Sequence, residues 1–128
     1  MQITIREPGS AITHFIGMMM AVFAAIPLLV KTAAGSSAAS LASMSIFILS
    51  MILLYGASAT YHSINVSEKV IKVFRKIDHM MIFILIAGSY TPVCMIVLGG
   101  KSGYTLLAIV WGIAAVGIGI KAFWITCP

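Results

Sequence analysis

Residues 38–61 read AASLASMSIFILSMILLYGASATY, and none of them is charged. A helix rises ~1.5 Å per residue, so a run of this length can cross the ~30 Å hydrocarbon core of a bilayer. The rest of the chain reads the same way. Of its 128 residues, 61% are hydrophobic and 9% charged, and the mean hydropathy is +1.11. A soluble domain is about half apolar and about a quarter charged. Too little polar surface is left here to cover a water-soluble globule, and the composition implies an all-α integral membrane protein.

Three further apolar runs lie outward of this one, over residues 11–30, 77–98 and 104–120. With 38–61 they predict four transmembrane helices in a single membrane domain, residues 1–128. The last run is the shortest. The first is too long for the apolar region of a signal peptide, and no basic segment of the usual sort precedes it. The small-residue patch AAGSSAASLAS (33–43) reads as a loop entering a helix that packs closely. Cys94 and Cys127 lie in or beside apolar runs and form no metal or disulfide framework, so both read as buried thiols.

The charges sit between the runs. With four crossings, Arg6, Lys69, Lys72, Arg75, Lys76 and Lys121 fall on one side, and Lys31 and Lys101 on the other. Basic residues favour the cytoplasmic side, so the chain is expected in the plasma (cytoplasmic) membrane with its N-terminus in the cytoplasm. The net charge of +5 flanks apolar segments and forms no separate basic domain, so membrane lipids are the expected partners and nucleic acid is not. In 67–77, Val70, Val73, Phe74 and Ile77 recur at helical spacing opposite Lys69, Lys72 and Lys76. With Ser67 as N-cap, this predicts a short interfacial helix running into the third span.

Polar residues gather at the joint SATYHSINVSEKVIKVFRKIDH (58–79). Ser58 and His62 are one turn apart on the second span, and Asp78 opens the third. The hairpin brings the three to one depth, where a pocket can open toward the cytoplasm. Two chemistries suit such a set. His and Asp can hold a metal while Ser bonds a water, or Ser can act as nucleophile with His as base and Asp as orienter. Simpler readings stand beside these. Ser58 can bond its own backbone, His62 can anchor the interface, and Asp78 can pair with Arg75 or Lys76 or favour a helix start. His79 points about 100° from Asp78 on a helix and helps position it or faces the interface. In the first span, Glu7, Ser10 and His14 share one face, and Pro8 can start that helix. Glu7 and Ser10 read as capping and packing residues, and His14 as a hydrogen-bonding group beside the pocket. In GSYTP (88–92), Gly88 and Pro92 break regular helix, and Ser89 and Thr91 can bond freed backbone groups. Either a kink above Asp78 or plain helix packing at Gly88 accounts for them.

EPGSAITH (7–14), SATYH (58–62) and IDHMMIFILIAGSYTP (77–92) together resemble the haemolysin-III family of bacterial membrane proteins. That family is related to the progestin and adipoQ receptors and to alkaline ceramidases. The resemblance covers essentially the whole chain. It implies a seven-helix bundle with a cytoplasmic N-terminus and a zinc site near the cytoplasmic face. Carried over, His62 is a zinc ligand, and Ser58 and Asp78 hold the water at the metal. In the wider superfamily a His-x-x-x-His pair on the last helix supplies two more ligands. This chain has only His14, His62 and His79, and the resemblance therefore implies a shortened version with four of seven helices. Zinc is expected to be weak or absent in this chain alone, unless His14, His79 or a second copy completes the site. Four helices alone would leave the pocket wall open and Asp78 facing lipid or water, so either self-association over this face or a poorly stable protein is expected. The function so implied is a zinc-dependent membrane hydrolase of lipid amide or ester bonds, with this chain inactive by itself. The alternative is a non-enzymatic, membrane-perturbing haemolysin or a receptor-like protein.

Overall fold

A computed structural model describes residues 4–35 and 37–124. Among these residues the regular structure is all helix: α1 Pro8–Gly35, α2 Ala38–Ser63, α3 Glu68–Pro92 and α4 Gly100–Phe123, with one π-helical stretch, Val93–Leu98, continuing α3. Each of the four helices is long and apolar enough to cross a membrane.

Local chemistry sets the ends. Pro8 opens α1, where its missing N–H costs no helical bond. Ser37 caps α2 and accepts a 3.2 Å bond from the Ser40 N–H. The patch at 33–43 is mostly helix and not a loop: Ala33 to Gly35 close α1, and Ala38 onward belongs to α2. Ser67 occupies the cap position of α3, but its side chain makes no capping bond. The amphipathic stretch after it is the start of α3 itself. From Glu68 to Leu98 the helix runs 31 residues, or about 46 Å at 1.5 Å per residue. That exceeds a ~30 Å hydrocarbon core, so the helix must tilt or project past it. Gly99 and Gly100, at φ 61° and 58°, make the turn into α4 in a region that side chains disfavour.

The helices pack in sequence order. α1 lies on α2, α2 on α3 and α3 on α4, and among the described residues α1 touches neither α3 nor α4. The result is an open row of helices. Its buried residues are mostly small: Ala11 and Ala21 on α1, Ser43 and Ser50 on α2, Ala87 and Gly88 on α3. Large apolar side chains such as Phe15, Phe23, Ile26 and Val97 point outward, as lipid-facing residues do. Small residues let helix backbones approach where lipid provides no hydrophobic drive between helices. Gly88 shows this most sharply. A Cβ there would meet the Ser50 hydroxyl and lie 2.9 Å from the Ser50 Cβ. Close packing against α2 is therefore what Gly88 does. Ser89 and Thr91 donate to the carbonyls of Ile86 and Ala87 at 2.8 and 2.7 Å. Thr91 also accepts a 3.0 Å bond from the Trp111 indole, which ties α4 to α3.

Candidate functional site

The site is built where α1 begins and α2 ends. The two helices run antiparallel, so ascending positions on one meet descending positions on the other. Glu7 meets His62, and one level deeper His14 meets Ser58. The Glu7 Oε2 to His62 Nδ1 distance is 2.6 Å, and His14 Nδ1 and Ser58 Oγ share a 2.5 Å hydrogen bond. The His14 and His62 rings meet edge to face with centroids 5.5 Å apart, and the Tyr55 ring lies 6.0 Å from His14. Ser58 is buried, and the two imidazoles are half-buried.

Arg6 and Glu7 clamp this end. The Glu7 N–H donates to the His62 carbonyl at 2.9 Å, and the Arg6 N–H to Ser63 at 3.4 Å. The Arg6 guanidinium donates to the carbonyls of Tyr61 at 2.6 Å and Ile64 at 3.3 Å. These carbonyls belong to the last turn of α2 and the residue after it, where no helical N–H follows to bond them. A cation there also answers the negative end of the helix dipole. Arg6 additionally pairs with Glu7 Oε1 at 2.6 Å and lies 4.6 Å over the Tyr61 ring. From the other side, Arg75 donates to the Tyr61 hydroxyl at 3.0 Å. That bond sets the start of α3 alongside the end of α2.

Asp78 follows Arg75 on α3 by almost one turn. It is only 8% exposed, and it makes no hydrogen bond or ion pair among the described residues. Its oxygens are not sealed off, since no fully buried side-chain oxygen is left without a partner. The simple reading of Asp78 as an ion pair with Arg75 or Lys76 is therefore replaced: Arg75 turns to Tyr61. His79 is half-buried and joins none of these contacts. Ser10 offers only its carbonyl, to the Thr13 hydroxyl at 3.1 Å. Ser58 bonds His14 and not its own backbone; Glu7 precedes α1 and its carbonyl accepts from the Ala11 N–H at 2.9 Å, while its side chain reaches Arg6 and His62.

The structure thus pairs His14 with Ser58 and Glu7 with His62, and it joins Asp78 to neither pair. Among the described residues no three of His, Cys, Asp and Glu are gathered as a metal ion would need. These residues alone do not fit a three-ligand zinc centre. Sequence reasoning counted Arg6 only as a positive charge and passed over Tyr61. The signal was there in part: an Arg-Glu pair ahead of one span, and a Tyr-His pair at the end of the next. Only the antiparallel register shows that the two dipeptides meet.

The haemolysin-III sequence model, described as "Haemolysin-III related", matches residues 2–128. "Hemolysin-3" of Bacillus cereus is 41% identical over 120 residues, covering 94% of this chain and 54% of that protein. "Hemolysin-3 homolog" of Bacillus subtilis (strain 168) is 42% identical over 123 residues, covering 95% and 57%. The chain spans about half the length of these curated relatives. No solved structure matches it. With four membrane-length helices and a family match over nearly its whole length, the chain belongs to the haemolysin-III family of multi-pass membrane proteins.

Proposed function

We propose that this chain carries part of the polar centre of a zinc-dependent membrane hydrolase that cleaves amide or ester bonds in lipids. His62 serves as one metal ligand, while Ser58 and Asp78 hold and orient water. Further ligands come from outside the described residues. The observation that supports this reading is Asp78, a buried acidic residue with no cation against it among the described residues. Such a group is costly at membrane depth, and groups of that kind mark functional sites. An apolar groove between α1 and α2, lined by Ile5, Ile12, Phe15, Met18, Ala59 and Ile64, offers a lipid tail a place at the same end of the hairpin.

The test uses a relative of full length. His62→Ala should lose most bound zinc by elemental analysis. Asp78→Asn should keep more zinc but lose hydrolysis of a ceramide or lysophospholipid substrate. Equal zinc in wild type and His62→Ala would remove His62 from the metal. The present chain by itself should be inactive and hold little zinc, and near-stoichiometric zinc surviving dialysis against a weak chelator would contradict that. A second reading, membrane lysis without catalysis, is favoured by the name that the relatives carry. Lysis that is unchanged in His62→Ala and Asp78→Asn would support it. We further place the protein in the cytoplasmic membrane with its N-terminus and the α2–α3 connection inside, on the strength of the basic bias of that side.

A further inference from the structure

We propose that Glu7 is a positioning residue that fixes the His62 imidazole in the Nδ1–H tautomer and so presents an unprotonated Nε2 to the site. A carboxylate accepts hydrogen bonds and, when ionised, has none to donate. At 2.6 Å from Glu7 Oε2, His62 Nδ1 must therefore be the donor. In a neutral ring the other nitrogen then carries the lone pair. That nitrogen is the one able to take a metal, a proton or a substrate hydrogen.

Glu7 is well held for this task. Its own N–H donates to the carbonyl of the same His62 at 2.9 Å, so backbone and side chain grip one residue from two directions. Its second oxygen is occupied by Arg6 at 2.6 Å. Arg6 is anchored in turn on the Tyr61 and Ile64 carbonyls and over the Tyr61 ring. A carboxylate behind an imidazole is a recurrent way to set tautomer and ring orientation. Here the carboxylate comes from the segment before α1 and the imidazole from the end of α2. The His14–Ser58 bond does not share this logic, because a hydroxyl both donates and accepts and leaves the His14 tautomer open.

The use of Nε2 rests on the reading of His62 as a working group, but the tautomer does not. The experiment is nitrogen-15 NMR of the chain in detergent, labelled at histidine, at a pH where the rings are neutral. Signals of His62 are assigned by their loss in His62→Gln. In wild type, His62 should show a protonated Nδ1 and a far-downfield, unprotonated Nε2. Glu7→Met, similar in size with no acceptor oxygen, should shift His62 toward the Nε2–H form. Glu7→Gln retains a carbonyl acceptor and should restore the wild-type pattern. An Nε2–H ring in wild type would overturn the inference, as would an unchanged Nδ1–H ring in a folded Glu7→Met. The wild-type spectrum decides by itself if Glu7→Met fails to fold. Failure of zinc binding or hydrolysis in a full-length relative would sink the functional reading and leave this tautomer as it is.

Discussion

Asp78 is buried near the start of the third span with no cation against it among the described residues, and that arrangement works against stability. Replacing it with Asn keeps the shape and removes the charge. Burial of an unpaired polar or charged group costs about 1–3 kcal/mol or more. Asp78→Asn is therefore expected to leave the thermal stability of the detergent-solubilised chain unchanged or raise it, while removing any activity. A drop of several degrees would show that Asp78 has a stabilising partner after all. Stability exchanged for activity at a single residue is a common signature of working groups. Much of this level was legible in the sequence, because ionisable residues in apolar runs stand out against their surroundings. Ser58, His62 and Asp78 were visible as a polar set with His14 beside it, whereas Glu7 read as a capping residue. Their partners were not. Helical spacing says which residues share a face of one helix, but the register between two helices depends on how small residues such as Gly17 and Gly56 let them settle together.

Between elements, α2 and α3 approach closely where Gly88 meets Ser50. Gly88→Ala would drive a methyl group into the Ser50 side chain, and overpacking of this sort costs about 1–3 kcal/mol. Because the clash includes the Ser50 Cβ at 2.9 Å, Ser50→Ala should rescue poorly and Ser50→Gly well. Thermal unfolding of the two double variants tests this, and equal rescue by both would show that the hydroxyl alone sets the spacing. The four helices follow from apolar run length, yet each is longer than its run. α1 extends from Pro8 to Gly35 and α3 starts at Glu68. Helix hydrogen bonding does not stop where hydropathy falls, so Lys31 and Lys69 are helical although they close or precede the oily stretch. The π-helical turn after Pro92 left no periodic signal beyond the GSYTP motif itself.

At the scale of the whole molecule, the basic residues define a side. Arg6, Lys69, Lys72, Arg75, Lys76 and Lys121 lie at one set of helix ends, with Lys31 and Lys101 at the other. A single cysteine at position 69, in a background without Cys94 and Cys127, should resist an impermeant thiol reagent in intact cells. It should label once the membrane is opened. Strong labelling of intact cells would invert the orientation and move Asp78 and His62 to the outer face.

The row in which each helix touches only its neighbours in sequence bears on the order of assembly. Every helix–helix contact closes a short connection, and short closures are made early and cost little chain entropy. Both polar pairs, Glu7 with His62 and His14 with Ser58, lie inside the first hairpin. That hairpin can be finished as soon as its second helix enters the bilayer, before Asp78 has been delivered. A fragment ending at residue 66 should therefore already protect the amides of α1 and α2 from hydrogen exchange in detergent. Unprotected amides there would mean that the hairpin waits for α3, and that the imidazoles are set in place only when the third helix arrives.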